Sequence, residues 1–306
     1  MIKKVTVINY LGESLEMPMD RPQLSGFAIC SINGLGPVKA NVNVTELATD
    51  DGAVYNSARA DTRNITLSLK FMDYIGRGSA EDIRLLSYKY FPLKKPLTLI
   101  IETDNRTASI TGYVESNEPD IFSADERTNI SILCPDPWFY DADGDGNKET
   151  RFNGIENLFE FPVENEFGFE LIELGNYKSD KVGNIYYEGD VEIGFVMELS
   201  FSGNAENIVL YNVTSNETMV IATSKITALT GEALKAGDTI IIDSRRGQKK
   251  AQLLRGGRYY NILNSLGRNT SWLMLHKGDN YIGYGAESGE DNITVLVTNK
   301  TAFEGV

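Results

Sequence analysis

Short runs of alternating polar and apolar residues, separated by glycine, proline, asparagine and aspartate, recur along most of the chain. Residues 38–44 are typical, with Val38, Ala40, Val42 and Val44 at every second position. Because side chains alternate between the two faces of a strand, this period of two predicts β-strands with one buried face. The pattern therefore favours packed antiparallel sheets, and we predict a mainly β protein.

A junction between two domains is predicted at residues 130–146, which read ISILCPDPWFYDADGDG. Pro135 and Pro137 end an alternating strand, since proline lacks the amide hydrogen that a sheet needs. The acidic, glycine-containing residues that follow suit a solvated linker, and 306 residues are enough for about two domains. We therefore divide the chain into an N-terminal domain of residues 1–140, an acidic linker of residues 141–149 and a C-terminal domain of residues 150–306.

The N-terminal domain is predicted to be an α+β, sandwich-like unit with one helix. Ser79 can cap a helix over residues 79–91, with Asp82 three residues later, and Pro92 ends it. The predicted strands are 2–8, 15–18, 27–32, 38–44, 64–72, 97–102, 108–115 and 127–133.

One segment of this domain has no core pattern of its own. Residues 45–63, TELATDDGAVYNSARADTR, are mostly polar and lie between the strands at 38–44 and 64–72. We predict that the strand at 38–44 pairs with the strand at 64–72. Residues 38–72 are then two long strands that carry an extended excursion, a hairpin or arm, whose tip does not pack on its own domain.

The C-terminal domain is predicted to be a β-sandwich of the jelly-roll kind. No helix is expected there beyond a turn near Ala233, and close spacing of short strands with polar turns is typical of sandwiches. The predicted strands are 158–163, 168–174, 184–189, 191–202, 207–212, 217–223, 239–243, 249–255, 271–276, 280–284 and 292–298.

Charge and hydropathy exclude several classes of partner. The 29 basic and 43 acidic residues give a net charge of −14, which repels a nucleic-acid backbone. No apolar run is as long as a membrane span, and the start, MIKKVTVINYLGE, does not read as a signal peptide. We therefore expect no nucleic-acid or membrane partner and a protein kept in the cytosol, with Cys30 and Cys134 as buried, reduced thiols.

No catalytic constellation stands out. His276 is the only histidine, and neither a nucleophile elbow nor a metalloprotease motif surrounds it, so we expect a structural or surface role for it. The many carboxylates give no specific signal for a glycosidase. The sequence predicts no enzymatic activity and no cofactor.

The acidic linker contains one possible metal-binding pattern. Asp141, Asp143 and Asp145 are spaced like the first ligands of a calcium loop, and Gly146 follows at position six. Phe152 stands where such a loop places its glutamate, and no helices flank the segment. Two hypotheses remain open, a flexible acidic linker and a weak calcium site.

Two features of the C-terminal domain have a plain and a functional interpretation. The basic cluster at residues 245–250 is expected to be a solvated hairpin tip, or a docking point for an acidic neighbour. Trp272 is expected in the core, since aromatic residues on sandwich strands usually lie there. If it is exposed instead, it can stack on a sugar, and the domain would be a carbohydrate-binding module that recognises host cell-wall polysaccharide.

Several motifs together resemble the distal tail protein (Dit) family, which forms the baseplate hub of long-tailed bacteriophages. The residues that carry the resemblance are Gly26-Phe27, Gly34-Leu35-Gly36, residues 63–67 (RNITL), Phe91-Pro92, residues 96–99 (PLTL), residues 110–113 (ITGY), residues 134–140 (CPDPWFY), residues 237–243 (GDTIIID) and residues 272–280 (WLMLHKGDN).

The resemblance implies a structural role. Family members form a ring of six copies through the N-terminal domain, and a long arm, here residues 38–72, embraces the next subunit. Their C-terminal domain is a galectin-like or carbohydrate-module-like sandwich that carries receptor-binding proteins in some relatives. One ring face would meet the tail tube protein and the other the tail-tip protein, in a virion assembled in the bacterial cytoplasm.

Overall fold

A computed structural model of the protein describes residues 1–49, 51–72, 78–123, 125–144, 146–152, 154–157, 175–178 and 181–306, with the backbone alone for 154–157 and 175–178. The first thirteen strands are β1 Ile2–Ile8, β2 Ser14–Pro18, β3 Phe27–Asn33, β4 Ala40–Glu46, β5 Ala53–Ala60, β6 Arg63–Phe71, β7 Pro96–Thr103, β8 Thr107–Asp120, β9 Arg127–Cys134, β10 Phe139–Asp141, β11 Asn147–Phe152, β12 Gly154–Asn157 and β13 Gly175–Lys178.

The later strands are β14 Val182–Tyr187, β15 Ile193–Gly194, β16 Val196–Phe201, β17 Ile208–Asn212, β18 Glu217–Ile221, β19 Thr239–Asp243, β20 Lys250–Arg255, β21 Arg258–Asn261, β22 Met274–Leu275, β23 Gly278–Gly285, β24 Ile293–Lys300 and β25 Ala302–Phe303. The helices are α1 Ala80–Tyr90 and α2 Thr223–Thr230, with short 3-10 helices at Pro22–Leu24, Leu263–Ser265 and Glu290–Asn292.

The chain divides into two compact units. Unit 1 consists of residues 1–146 and 302–306, and unit 2 of residues 147–301. The last five residues thus return to unit 1 after unit 2 is complete. Residues 147–149, which we had placed in the linker, begin strand β11 and pair with β24.

Unit 1 is built on one antiparallel sheet with the strand order β2-β1-β7-β8-β9-β6-β3. Strand β10 pairs with β8 and with β25, so the returning chain end extends this sheet. The core residues alternate along most strands of the sheet, as predicted; those on β6 are Ile65, Leu67, Leu69 and Phe71. Helix α1 begins with a capping box between Ser79 and Asp82, as the sequence indicated.

The predicted pairing of the strand at 38–44 with the strand at 64–72, which is β6, was wrong. Strand β6 pairs with β3 and β9, and not with β4. The partner of β4 is β5, which the sequence analysis did not identify. Strand β5 lacks regular alternation because Asn56 is an extra residue opposite the Asn43–Val44 step, where the register shifts.

Unit 2 contains two larger antiparallel sheets. Their strand orders are β11-β24-β16-β19-β20-β21 and β14-β23-β17-β18, and the pairs β12–β13 and β15–β22 are separate. One apolar cluster joins the buried faces of both larger sheets, with Leu199, Leu210 and Val297 among its members. The mainly β architecture that we predicted is confirmed.

Helix α2 was not predicted. Its sequence TSKITALT is rich in β-branched residues, which are weak helix formers. Burial of Thr223 and Ile226 on one side stabilises it, and Gly231 ends it with a φ of +81°. The predicted strands 158–163 and 168–174 lie outside the described residues.

The aromatic pair at the end of the first-unit sheet provides a test of the core. Phe139 is fully buried, whereas Trp138 is only half-buried. We expect Phe139→Ala to lower the free energy of unfolding of unit 1 by about 3–5 kcal/mol. Trp138→Ala should cost only about 1 kcal/mol. Urea unfolding of both variants measures the difference, and equal losses would contradict this packing.

A buried ion pair in unit 2 predicts a pH dependence. Asp238 is 2% exposed, and burial raises its pKa, but hydrogen bonds from Arg255 and from the Lys235 amide outweigh that effect and lower the pKa. Since the folded pKa is depressed, the carboxylate's stabilisation is fully present above the unfolded pKa of about 4 and is lost as pH falls through the folded pKa.

We therefore expect Asp238→Asn to destabilise unit 2 by about 3–5 kcal/mol at neutral pH, because it removes the buried charge partner of Arg255 and leaves the exposed Glu232 at 3.9 Å. The difference in unfolding free energy between variant and wild type should narrow as pH falls below the unfolded pKa of about 4 and through the depressed folded pKa. Urea unfolding at several pH values measures it. Asp291→Asn, at a carboxylate with an 85% exposed side chain, is the control. A gap that stays constant with pH would contradict the assignment.

Candidate functional site

The hairpin β4–β5 forms a two-stranded sheet of its own. Every residue of β4 is exposed, and so is every residue of β5 except Ala60, which is half-buried. No strand of the described chain pairs with its outer edges. We call this hairpin, residues 40–60, the arm.

The arm has one apolar and one polar face. Residues directly opposite each other share a face, and the register pairs Val42 with Ala58 and Val44 with Tyr55. The apolar face consists of Ala40, Val42, Val44, Ala53, Tyr55, Ala58 and Ala60, with Glu46 opposite Ala53 at its outer end. On the other face lie Asn41, Asn43, Thr45, Val54, Ser57 and Arg59.

The extra residue on β5 keeps this division intact. Asn56 donates a hydrogen bond from Nδ2 to Thr45 Oγ1 at 2.7 Å, which places it on the polar face. The bulge thus lets both apolar pairs stay on the same side of the hairpin.

The apolar face is open to solvent. Tyr55 is 62% exposed and Val44 is 48% exposed. An isolated two-stranded hairpin is marginally stable in water, and contiguous exposed apolar area marks interaction sites. The arm therefore has the properties of a surface that a protein partner covers.

The base of the arm is held by a buried arginine. Arg63 lies three residues after the arm and is 2% exposed. Its Nη1 donates to the carbonyl oxygens of Gly34 and Gly36, both at 2.5 Å. Its Nε donates to Pro137 O at 2.6 Å and its Nη2 to Glu304 O at 2.7 Å.

The electrostatics of this site are unusual, because the hydrogen-bond acceptors of the guanidinium are backbone carbonyls. Burial lowers the pKa of Arg63, but an arginine stays charged in proteins. The ring of Phe139 lies below it, with its centroid 4.6 Å from Cζ. Five directed donors match several carbonyls at once, which a lysine cannot do.

Gly34 shows how closely the chain packs here. Its φ is +87°, and a Cβ atom at this position would lie 2.2 Å from Asn64 O. Both its conformation and the space require glycine. The loop that enters the arm and the strand that leaves it are thereby held together.

The chain end completes the base. Strand β25 pairs Phe303 with Phe139, and Val306 N donates to Leu35 O at 3.1 Å. Arg106 donates to Gly305 O at 2.9 Å and lies over the Phe303 ring. Trp138 lines a shallow groove at the foot of the arm, with Pro37, Val38, Ala40, Ala58, Arg59, Ala60 and Glu304.

The calcium candidates are only partly described. Asp141 ends β10, and its Oδ1 accepts a hydrogen bond from the Asp143 amide at 3.1 Å. Asp145 lies outside the described residues. No group of three or more potential metal ligands occurs among the residues that the structure describes, and the calcium hypothesis stays a prediction.

The other candidates in unit 2 have structural contacts. His276 Nδ1 lies 3.1 Å from Glu192 Oε1. Arg245 of the basic cluster makes a bidentate pair with the buried Asp243. Trp272 packs half-buried against the core, and Lys249 Nζ lies 5.5 Å from its ring centroid.

One cysteine prediction was wrong. Cys134 is buried, and burial raises its pKa to about 11. Cys30 is exposed, because β3 shifts register between Ile29 and Ser31 and the irregularity falls at this residue. In the described part of the chain, no helix is long and apolar enough to cross a membrane.

Comparison with known proteins gives a structural match only. A scan of protein families and a search of curated proteins found no match for the sequence. Among solved structures, the chain is similar to the Dit protein of phage SPP1, described as a paradigm of the hub adsorption apparatus in phages that infect Gram-positive bacteria. The TM-score is 0.61 at 12% identity, over 97% of this chain and 98% of that chain.

Two baseplate structures also match, at lower scores. A chain of the phage P2 baseplate in its activated conformation with Ca gives a TM-score of 0.47 at 13% identity, over 98% of this chain and 99% of that one. The phage p2 baseplate with Sr gives 0.43 at 11%, over 97% and 98%. The SPP1 match shows that this chain has a Dit-like fold, as the sequence motifs indicated.

Arg63 is the direct test of the arm's base. Arg63→Met should destabilise unit 1 by at least about 3 kcal/mol, because several buried carbonyls lose their donor. Arg63→Lys should recover only part of this loss. Denaturant unfolding measures both variants. Arg59→Ala, at an exposed position on the arm, is the control and should stay within about 0.5 kcal/mol of wild type. A wild-type-like Arg63→Met variant would contradict the assigned role.

Proposed function

We propose that this protein is a structural component of a phage tail, a hub that closes into a ring of six copies at the distal end of the tail tube. The observation that carries the proposal is the arm, an amphipathic hairpin with an exposed apolar face on a rigid base. Such a face needs a partner, and a second copy of the chain supplies one at each step around a ring. The Dit-like fold over nearly the whole chain supports this assignment.

In this role the protein does no chemistry. The ring joins the tail tube protein on one face to the tail-tip protein on the other, and unit 2 offers a site for receptor-binding proteins. The protein acts within the virion, at the tail tip, after assembly in the cytoplasm of the bacterial host. A net charge of −14 is consistent with protein partners rather than nucleic acid.

The central experiment shortens the arm without touching its base. Residues 43–57 are replaced by Asn-Gly, which joins the paired residues Val42 and Ala58 by a two-residue hairpin turn. Since the arm contributes nothing to either core, the thermal unfolding of both units should stay within a few degrees of wild type. Ring assembly should be lost, as measured by light scattering after gel filtration.

A conservative change on the polar face is the matched control. Ser57→Ala leaves the apolar face and the hairpin pairing intact, and we expect normal assembly. Closed rings from the shortened variant would refute the role of the arm.

A second candidate function, carbohydrate binding by unit 2, is favoured by one surface. Tyr186 on β14 and Tyr281 on β23 are 63% and 47% exposed and lie on the same face of one sheet. Between them, Asn184 donates to Asp279 at 2.7 Å. Aromatic rings beside amide and carboxylate groups suit the stacking and hydrogen bonding of a sugar.

This candidate predicts that the full-length protein binds host cell-wall polysaccharide. Tyr186→Ala with Tyr281→Ala should weaken that binding at least about tenfold, since each stacked ring contributes about 0.5–1.5 kcal/mol beyond its buried area. Tyr259→Ala, at an exposed tyrosine on β21 of the other sheet, should change nothing. A co-sedimentation assay measures the binding. Absence of binding by the wild type would exclude the candidate.

A further inference from the structure

We infer that the arm of one copy docks on a second surface of unit 1 in the next copy, formed by helix α1 and the β1–β2 turn. This inference rests on the proposed ring and names the site that receives the arm. We call the surface the helix–turn patch. Its apolar members are Tyr10, Leu11, Leu85 and Tyr88. Lys95 lies at the Tyr10 ring, and the exposed Lys94 precedes it in the chain.

The helix contributes an unpartnered apolar side. Leu85 and Tyr88 lie three residues apart on α1 and are 56% and 43% exposed. The buried residues of the helix, Ile83 and Ser87, lie on another side. The helix therefore packs on the core of unit 1 with one side and exposes a second apolar side to solvent.

The β1–β2 turn lies against the end of this helix. Tyr10 and Leu11 are 48% and 64% exposed. Asn9 fixes the turn, since its Oδ1 accepts from the Leu11 amide at 3.0 Å and its Nδ2 donates to Lys89 O at 3.3 Å. An ion pair between Lys89 and Glu13 at 2.8 Å adds a second link. These contacts hold the turn, with its exposed Tyr10 and Leu11, at the C-terminal end of the helix.

A groove lies along the edge strand that follows the β1–β2 turn. It lies between β2 and α1 and is lined by Ser14, Leu15, Glu16, Pro18, Leu24 and Tyr90. Strand β2 is the last strand of its sheet in the described chain, so its outer edge has no strand partner. An open strand edge beside a groove suits the docking of another strand pair.

The donor and acceptor surfaces lie at opposite edges of the sheet. The arm connects β3 to β6, the last two strands at one edge. The turn that carries Tyr10 and Leu11 connects β1 to β2, the last two strands at the other edge. A contact between two different surfaces of identical chains repeats from copy to copy and closes a ring when the rotation allows.

Charge complements the apolar contact. Glu46 and Asp51 lie at the outer end of the arm, and Lys94 and Lys95 lie beside the patch. None of these four side chains forms an ion pair within the described part of the chain. Lys95 Nζ lies 5.3 Å from the centroid of the Tyr10 ring, which places this charge directly at the apolar surface. Opposite charges at the two surfaces favour their association.

Charge reversal in two variants tests the pairing. Variant A carries Lys94→Glu and Lys95→Glu, and variant B carries Glu46→Lys and Asp51→Lys. Each variant alone places like charges at every contact, and we expect its assembly to weaken at least about tenfold at low ionic strength. In a mixture, variants A and B can alternate around a ring of even copy number. The acidic arm of A then meets the lysines of B, and the basic arm of B meets the glutamates of A, so every contact again joins opposite charges. Light scattering should show assembly restored in the mixture.

The outcomes separate this inference from the ring itself. If the wild type does not assemble, the proposed ring fails and the inference fails with it. If the wild type assembles, each variant alone does not, and the mixture of A and B does not assemble either, the proposed ring is retained and the acceptor surface is wrong. If variants A and B assemble normally on their own, the charge pairing is refuted.

Disulfide trapping is a second test of the contact between the arm and the helix–turn patch, and it does not depend on charge. In a Cys30→Ser background, Val44→Cys and Tyr88→Cys in one chain should give a ladder of covalent multimers on oxidation. Cys134 is buried and does not react. The matched control combines Val44→Cys with Tyr281→Cys in unit 2, which should give no ladder. Equal ladders from both pairs, or none from the first, would overturn the assignment.

Discussion

The burial of Arg63 is the constraint on which the rest of unit 1 depends. A guanidinium loses its hydration on burial, and the loss is offset only if its donors find acceptors in fixed positions. Here the acceptors come from residues 34–36, from Pro137 and from Glu304, three segments far apart in the sequence. All three must be in place together, so the base of the arm forms as one cooperative structure and fixes where the arm emerges.

The arm and the core of unit 1 share no residues. The fold of unit 1 therefore does not depend on the apolar face of the arm, which stays exposed. Residues 302–306 belong to unit 1, so the base of the arm is completed by residues far from it in the sequence.

The elements that follow from a local sequence pattern could be predicted. The features that depend on contacts between distant residues could not. Alternation located most strands, and the capping box at Ser79 located α1. Strand β5 was missed because the bulge at Asn56 interrupts its alternation. Cys30 is exposed and not buried as expected, because the register of β3 shifts at this residue. Helix α2 is stabilised by tertiary burial against its propensity. The burial of Arg63 could have been predicted, because it lies at the same alternating positions of β6 as the buried Ile65, Leu67 and Leu69. Its hydrogen-bond acceptors could not, because they are distant in the sequence.

The most direct test of this account is the symmetry of the unmodified protein in electron-microscopy images of the assembled species. The account predicts closed six-fold rings, each subunit of 33.9 kDa, in which the hairpin of every copy reaches the helix side of the next. Monomers at all concentrations, or two-fold dimers joined arm to arm, would contradict it.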